Sequence, residues 1–471
     1  MKLRLLTIFL VVLMSGSALF GRPTDVGSFV RLEERPTDLQ FYPRDEMNRG
    51  WVVISGRVDV EFVREIRVRS WRDGQSWYGV TQYVDATRFS LRIPIEAGLY
   101  LYRVEVWGVL YDGEEQLIAR AGELVAGDVF LIQGQSNAVA TDVHHENLAN
   151  ESQSPWIRSY GSASIFPGEV RKDRSWHLAE GELANQSGTV GAWGLRMARL
   201  TVDAYGIPIA LMNGAVGGTP INFHLRNDHD PMNLHTNYGR LLSRCRDAGV
   251  ADYVKGIFWH QGESDSNTSL VDYAKRFRNL YHDWNEDYPR VEHIYVCQVR
   301  EGCGNPTVGL RDLMRRFGDS FEKVEVMSTT GMLRHDGCHY YYTGYRELGD
   351  RMARLIARDY HELSDVSNIT APNPMSAAWS SDAHDEILIR MRVATDGLVV
   401  DAGAFEDFRL VGGSGDAEVV DVVVGGAGEL LVELSGVSDA EGIAYVGHSG
   451  DGPWVHNDLG IGLFVFRMEI E

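Results

Sequence analysis

The chain lacks the excess of positive charge that is typical of proteins binding nucleic acids or anionic membranes. Its 471 residues include 66 Asp and Glu against 45 Lys and Arg, which gives a formal net charge of −21. This balance argues against a nucleic acid or an anionic membrane as the main partner. It favours solubility and carries no information about the fold.

Long apolar runs are also missing, apart from one at the N-terminus. Lys2 and Arg4 precede an apolar stretch over residues 5–14, and small residues follow at 15–18. This order predicts a cleavable export signal over residues 1–22, and hence a secreted or periplasmic protein. An uncleaved membrane anchor is the alternative, but the apolar stretch is short for a spanning helix. No later stretch approaches that length, so we expect no membrane association in the mature form.

Cysteine is scarce, and the sequence shows no complete set of metal ligands. The four cysteines match no zinc-binding spacing, and His144-His145 and His229-Asp230 are more typical of surface loops than of metal sites. In an exported protein the cysteines can form disulfides, but free thiols fit equally well and the pairing stays open. A bridge from Cys338 would brace a loop that holds two candidate catalytic residues. The cysteines are Cys245, Cys297, Cys303 and Cys338.

The composition changes twice along the chain, which predicts three folded parts. Residues 23–126 are rich in β-branched and aromatic stretches punctuated by glycine, which predicts an N-terminal β-sandwich. Over residues 127–363, short apolar runs alternate with amphipathic stretches, a pattern typical of an α/β domain with a parallel sheet and helices on both faces. Strand-like runs return over residues 364–471 and predict a C-terminal β-sandwich.

The first candidate for chemistry is a serine at the end of a predicted strand. An apolar run after Gly127 leads directly into Gly134-Gln-Ser136-Asn137. Ligands of open α/β sheets bind at the carboxyl ends of the strands, so we expect Ser136 at that rim with its N–H facing a substrate. Gly134 permits a tight turn. An ordinary strand-ending turn is the alternative, because Gly, Ser and Asn all favour turns.

Two further polar clusters follow predicted strands. Gly217 and Gly218 allow the backbone to approach a ligand and to offer an N–H to an oxyanion, although a plain Gly-Gly turn explains them as well. In residues 259–265, the Gln261 amide is a candidate donor to developing negative charge, and Trp259 and His260 are candidates to line a sugar pocket. An incidental polar loop is the alternative there. Ser264 in the same stretch is interpreted as structural.

The fourth cluster is Asp336-Gly-Cys-His339, just before a predicted helix. In a tight loop, a carboxylate three residues before a histidine can accept the Nδ1–H of the imidazole. Nε2 is then free to take a proton from a serine hydroxyl. A lone histidine near a helix start is usually structural, but this spacing and a serine far upstream favour a catalytic interpretation.

Together the four clusters resemble the SGNH hydrolases, whose successive blocks supply serine, glycine, asparagine and histidine. The branch of sialate O-acetylesterases and acetylxylan esterases is more similar, with glutamine in place of asparagine in the third block. Its blocks read Gly-Gln-Ser-Asn, Gly-Gly-Thr, Trp-x-Gln-Gly-Glu-Ser-Asp and Asp-Gly-x-His, as do residues 134–137, 217–219, 259–265 and 336–339 here. The resemblance covers about residues 128–360. It implies a flavodoxin-like, three-layer SGNH domain.

The resemblance implies a serine esterase that removes O-acetyl groups from a carbohydrate through an acyl-enzyme. Ser136, His339 and Asp336 form the implied catalytic triad. The implied oxyanion hole consists of the N–H groups of Ser136 and of Gly217, or of its neighbour Gly218, with the side chain of Gln261.

Asn137, Trp259 and Glu263 are the candidate substrate-binding residues in the same blocks. No metal or organic cofactor is implied. The expected partner is an acetylated carbohydrate, with sialic acid and acetylated polysaccharides both open. Two rival functions are kept: a carbohydrate-binding protein on a degenerate esterase scaffold, and an SGNH lipase or thioesterase. The intact catalytic residues argue against the first, and the Gln-Gly-Glu-Ser block favours acetylated carbohydrate over the second.

Overall fold

The N-terminal part of the chain consists of strands. The structure, a computed structural model, describes residues 29–393 and 397–471. The export signal predicted over residues 1–22 lies outside the described residues. The first strands are β1 (Val30–Glu34), β2 (Phe41–Pro43), β3 (Arg49–Val58), β4 (Val63–Arg72), β5 (Gln75–Tyr83), β6 (Arg88–Glu96), β7 (Tyr102–Leu110) and β8 (Glu115–Gly134).

Two antiparallel sheets of this part pack face to face. Strands β1, β3 and β6 form one sheet, and β4, β5, β7 and the first half of β8 form the other. Buried and more exposed residues alternate along β3 and β6, as expected for strands with one face on a core. Side chains of both sheets, such as Ile93 and Val106, belong to one hydrophobic cluster. The two sheets therefore share one hydrophobic core.

The central part alternates strands and helices, which agrees with the predicted mixed α/β architecture. Its strands form one large mixed sheet with the N-terminal strands of the β4–β8 sheet. The strands are β9 (Ile157–Tyr160), β10 (Trp176–Leu178), β11 (Ile209–Asn213), β12 (Val254–His260), β13 (His293–Gln298) and β14 (Val324–Ser328). The helices are α1 (Ser136–Val139), α2 (Pro167–Lys172), α3 (Ala192–Tyr205), α4 (Asn237–Asp247), α5 (Leu270–Asp287), α6 (Val308–Arg315), α7 (Phe317–Ser320) and α8 (Tyr342–His361).

The order of the central strands brings the candidate motifs to one edge. The order is β10-β9-β11-β8-β12-β13-β14, and all neighbours except β10 and β9 pair in parallel. All five residues of β11 are buried, as expected for a parallel strand that is covered on both faces. Parallel strands end at the same edge, so the loops after β8, β11, β12, β13 and β14 lie side by side.

Strand β8 belongs to both the N-terminal and the central part. Its first half pairs antiparallel with β7, and from Asp128 onward it pairs in parallel with β11. Asp128 lies at the crossing, where its carboxylate accepts two hydrogen bonds from Arg44 (2.7 and 2.6 Å) and lies 2.8 Å from Lys255 Nζ. Burial would raise the pKa of Asp128, but these cations hold it below its usual value. The boundary predicted between residues 126 and 127 falls inside this strand, and the domain limits stay a prediction.

The C-terminal part again consists of strands, arranged in sheets of four, three and two strands. Its hydrophobic cluster, separate from those of the other parts, combines side chains of the three sheets. No helix among the described residues is long and apolar enough to cross a membrane. The strands are β15 (Pro374–Trp379), β16 (Glu386–Met391), β17 (Val399–Val400), β18 (Phe408–Val411), β19 (Val419–Gly426), β20 (Glu429–Leu434), β21 (Gly442–Tyr445), β22 (Val455–His456) and β23 (Phe466–Glu469).

Candidate active site

Ser136 is the first residue of α1, a short helix that begins where β8 ends. The turn between them requires glycine at position 134, since φ is 141° and a Cβ atom there would lie 2.1 Å from the His260 carbonyl oxygen. The N–H of Gln135 donates to the same carbonyl (2.9 Å), which fixes the end of β8 to β12. Gln135 and Asn137 are buried, whereas Ser136 is partly exposed. The serine is therefore presented from a buried support.

The loop after β11 lies against Ser136. A Cβ atom at Gly217 would lie 3.6 Å from the Ser136 Cβ, whereas one at Gly218 would meet nothing within 4 Å. The Asn213 side chain donates to a carbonyl of α1 (2.8 Å) and so holds this loop close to the serine. Within the described residues, no acceptor is bonded to the N–H of Ser136 or of Gly217. Both groups are free to donate to an oxyanion.

Gln261 is fully buried, and its amide already has partners. Nε2 donates to Asp265 Oδ2 (2.5 Å) and to the Thr219 carbonyl (3.2 Å), and Oε1 accepts from the Tyr273 hydroxyl (3.1 Å). The sequence predicted that the Gln261 amide donates to an oxyanion. In the structure, both amide hydrogens already have acceptors within the protein. The bond to Thr219 instead fixes the loop that carries Gly217.

Asn137 and Glu263 form a buried bridge between the serine and the Asp336–His339 loop. Asn137 Nδ2 donates to Glu263 Oε1 (3.0 Å) and to the Cys338 carbonyl (3.2 Å). The two side chains are 1% and 2% exposed. The sequence predicted that they contact the substrate, whereas the structure buries them within the protein. Their bonds join the residue after the candidate nucleophile to the residue before the candidate base.

Glu263 also forms a buried ion pair with His260, whose Nε2 lies 3.4 Å from Glu263 Oε1. Burial would lower the pKa of His260, but Cys297 and Glu263 outweigh it and raise the pKa to about 10. Burial would raise the pKa of Glu263, but His260 and Asn137 hold it below its usual value. The charges stabilise each other in a place that water does not reach.

Trp259 belongs to the core of the central part. Its ring is fully buried and packs edge-on against Trp284 and His224, with centroid distances of 5.4 and 5.2 Å. The sequence predicted a ring that lines a sugar pocket, whereas the structure places this ring in the hydrophobic core.

Asp336 and His339 lie in the loop between β14 and α8. Asp336 Oδ1 accepts the backbone N–H of Cys338 (2.8 Å) and of His339 (2.7 Å), while Oδ2 lies 3.9 Å from His339 Nδ1. Burial would raise the pKa of Asp336, but these N–H groups hold it below its usual value. The two side chains are 35% and 26% exposed, and no hydrogen bond within the described residues joins His339 to Ser136. A separation such as the 3.9 Å between Asp336 Oδ2 and His339 Nδ1 is common before substrate binds, because catalytic hydrogen bonds often shorten in the complex.

The loop after β13 holds the Asp336–His339 loop by covalent and polar contacts. Cys303 forms a disulfide with Cys338, which resolves the pairing that the sequence left open, and the other two cysteines are free and buried. Arg300 Nη1 donates to the Gly337 carbonyl (2.9 Å). The sulfurs of the disulfide and the His339 ring are the described group with metal-site geometry, but bonded sulfurs are not thiolate ligands.

The C-terminal part touches the same loop. Arg300 Nη2 donates to the Ser449 carbonyl (2.7 Å), and the N–H of Arg334 donates to Asp451 Oδ1 (2.9 Å). Sequence reasoning missed these contacts, because neither Arg300 nor Asp451 lies in a recognisable motif. It also assigned His144 to a surface loop, whereas this side chain is 16% exposed and lies next to Asp336.

Residues 126–358 match the model of a family described as carbohydrate esterase, sialic acid-specific acetylesterase. The chain is 25% identical over 200 residues to a sialate O-acetylesterase of Pongo abelii, a match that covers 36% of this chain and 38% of that relative. The chain thus spans little more than a third of the relative's length. The structure is similar to that of a carbohydrate acetylesterase from Xanthomonas citri, with a TM-score of 0.65 and 18% identity, over 93% of this chain and 99% of that chain. At this identity the similarity shows the fold alone.

Proposed function

Residues 126–358 belong to the sialic acid-specific acetylesterase family of carbohydrate esterases, and from this we propose that the chain is a serine esterase that removes acetyl groups from a carbohydrate. One observation carries the proposal: Asn137 Nδ2 donates to the Cys338 carbonyl (3.2 Å). This bond ties the residue beside Ser136 to the residue beside His339, and so keeps a nucleophile and a base at one edge of the sheet.

In the proposed first step, His339 takes the proton of the Ser136 hydroxyl while Oγ attacks the acetyl carbonyl carbon. Asp336 accepts the Nδ1–H of His339 and stabilises the imidazolium. The carbonyl oxygen becomes an oxyanion, to which the free N–H groups of Ser136 and Gly217 donate. The intermediate then expels the sugar hydroxyl, which takes its proton from His339, and an acetyl-serine remains.

In the proposed second step, water replaces the sugar. His339 takes one proton from the water as the water oxygen attacks the carbonyl carbon of the acetyl-serine. Ser136 then leaves and regains a proton from His339, and the released acetic acid ionises to acetate in water. We assign Gln261 a supporting part in both steps. Its bond to the Thr219 carbonyl (3.2 Å) fixes the loop that offers the Gly217 N–H.

We also propose the finer architecture that the resemblance implies. An SGNH-type three-layer domain over residues 127–363 would lie between β-sandwich domains over 23–126 and 364–471. The parallel pairing of β9, β11, β8, β12, β13 and β14 supports this, as does the position of the four blocks after strands. Export by the segment 1–22 and a substrate of acetylated sialic acid or acetylated polysaccharide complete the proposal.

The test is acetate release from 4-nitrophenyl acetate, acetylated sialic acid and acetylated xylan. We expect Ser136→Ala to lower kcat by about ten-thousandfold or more. Ser264→Ala is the matched control, because this serine lies in the third block and its N–H, rather than its hydroxyl, bonds to Gln135. The better of the two glycans identifies the substrate class. Activity that survives in Ser136→Ala, or a folded wild type that cleaves none of these esters, would refute the proposed function.

A further inference from the structure

The loop after α1, residues 141–148, extends to the loop that carries Asp336 and His339. The His144 ring stacks on Tyr341, with a centroid distance of 3.8 Å and an interplanar angle of 14°. His144 Nε2 lies 3.6 Å from Asp336 Oδ2. The side chain is 16% exposed, and its Nε2 is buried with no hydrogen-bond partner among the described residues. A buried ring nitrogen without a partner, beside a carboxylate, calls for an explanation.

The two oxygens of Asp336 have different surroundings. Oδ1 accepts two backbone N–H groups, at 2.8 and 2.7 Å, and is fixed by them. Oδ2 accepts no hydrogen bond within the described residues, and it is the oxygen that lies nearest both to His144 Nε2 (3.6 Å) and to His339 Nδ1 (3.9 Å). Oδ2 is therefore the oxygen available to the proposed base, and His144 is the second group that reaches it.

A second contact fixes the same loop to the segment after His339. Glu146 Oε2 accepts the N–H of Tyr342 (2.5 Å), the first residue of α8, whose preceding residue provides no side-chain cap. A carboxylate satisfies an unpaired N–H and the positive end of the helix dipole at this position. Asp142 accepts the N–H groups of Glu146 (3.0 Å) and Asn147 (2.7 Å), which holds the loop in shape.

We propose that His144 is a positioning residue that holds the Asp336 carboxylate toward His339. An N–H at Nε2 donates to Oδ2 once the 3.6 Å separation closes by a few tenths of an ångström. This bond keeps the carboxylate from turning away while His339 carries a proton. The inference rests on the proposed function, in which Asp336 orients His339. Among the described residues, no hydrogen bond joins His144 to Ser136, and in the proposed steps His144 takes part in no bond change.

Two variants separate the N–H of His144 from its ring. His144→Phe keeps a ring on Tyr341 and removes the donor, whereas His144→Gln keeps a donor at similar reach and removes the ring. With 4-nitrophenyl acetate we expect His144→Phe to lower kcat about tenfold with KM within about twofold, since the lost bond is to a charged group. We expect His144→Gln to recover most of the loss. His229→Phe, the same change at an exposed histidine, is the control.

A double-mutant cycle tests whether His144 acts through Asp336. In an Asp336→Asn background, His144→Phe should have no further effect on kcat. Wild-type kcat in His144→Phe, equal losses in His144→Phe and His144→Gln, or a full tenfold loss in the Asp336→Asn background would each overturn the inference. These outcomes leave the proposed function intact, because Ser136→Ala is measured first; survival of activity in Ser136→Ala would overturn both.

Discussion

The two sides of the candidate active site are stabilised in opposite ways. Ser136 is flanked by buried residues, lies at the end of a central strand, and rests on the buried Asn137–Glu263 bridge. Asp336 and His339 are about a third and a quarter exposed, and neighbouring loops hold them by hydrogen bonds and a disulfide. Core packing thus sets the position of the proposed nucleophile, whereas cross-links between regions set the position of the proposed base.

This contrast has a physical consequence for how each side responds to change. A buried polar network is costly to disturb, because a group that loses its partner cannot form a replacement hydrogen bond with water. When a partly exposed loop loses a single contact, the free energy of unfolding falls less, but the position of the loop changes. Substitutions in the buried network beneath Ser136 should therefore reduce stability, and substitutions in the loop of Asp336 and His339 should mainly reduce turnover.

The largest effect is expected where a reacting group is removed from the exposed side. His339→Ala should lower kcat by about ten-thousandfold or more, because the proposed base is lost. Its melting temperature should stay within about 2 °C of the wild type, since a partly exposed side chain is removed. Kinetics with 4-nitrophenyl acetate and thermal unfolding measure both, with His235→Ala at an exposed histidine as the control. If His339→Ala lost much stability but little kcat, this side chain would act in folding rather than in turnover, contrary to the comparison.

On the serine side we expect the opposite result from Glu263→Ala. The change leaves the buried His260 without its counter-ion and removes one of the two acceptors of Asn137 Nδ2. Removing one member of a buried pair costs about 3–5 kcal/mol of unfolding free energy. Chemical denaturation measures the loss, and Glu325→Ala, which breaks a partly exposed pair with Arg358, is the matched control. Equal losses of unfolding free energy in Glu263→Ala and Glu325→Ala would show that burial does not make the Glu263 pair more important for stability.

The same pair predicts a pH dependence. The pKa of Glu263 is lowered from 4.5, so its stabilisation is complete above that value and is lost as the pH falls through the folded-state pKa. The pKa of His260 is raised from 6.5 to about 10, so its stabilisation is complete below 6.5 and is lost as the pH rises through 10. The stability difference between wild type and Glu263→Gln should be greatest between pH 4.5 and 6.5 and should shrink toward pH 10. A difference that stays constant over this range would contradict the ion pair.

Removing the disulfide should reduce both the stability and kcat, each by less than the two substitutions above. Cys303→Ser with Cys338→Ser opens a loop with a sequence separation of 35 residues. We expect a loss of about 2–4 kcal/mol in unfolding free energy, because the unfolded chain gains freedom. We also expect a several-fold lower kcat at unchanged KM, because the His339 loop loses a brace. Cys245→Ser, at a free and buried thiol, is the control. Unchanged kcat would show that the other contacts suffice.

The smallest effect concerns the contact with the C-terminal part. Asp451→Ala removes one hydrogen bond to the Arg334 N–H at an exposed position, a loss of about 0.5–1.5 kcal/mol at most. We expect kcat to fall two- to threefold, which corresponds to the lower end of this range, with a change in melting temperature of about 2 °C or less. Asp382→Ala, at an exposed carboxylate elsewhere in this part, is the control. A loss as large as that of His339→Ala would make the contact essential.

The sequence was informative where function depends on local order along the chain. A buried strand followed by Gly-Gln-Ser-Asn can be read directly from the residues, and the parallel sheet places every such turn at one edge. The mixed α/β architecture followed from alternating patterns in the same way. The family match over residues 126–358 confirms the resemblance that these blocks indicated.

What the sequence could not provide depends on which distant residues meet. Trp259 is the penultimate residue of a strand that is buried on both faces, so no alternation indicates whether its ring faces the sheet edge or the core. Gln261 has acceptors from three separate segments, and its preference for them over an oxyanion follows from their positions in space. The partner of Cys338 was open for the same reason.

Strand β8 has a consequence for the smallest fragment that can fold. Its 20 residues pass without a break from the sheet of β7 to the sheet of β11 and β12. A chain cut at residue 127 would lose Arg44, whose guanidinium donates two hydrogen bonds to the buried Asp128 carboxylate. It would also lose Phe41, which packs against Trp176 in the hydrophobic core of the central part. The family match begins at residue 126, one residue before that cut. We therefore expect that the autonomous folding unit is longer than the segment by which relatives are recognised.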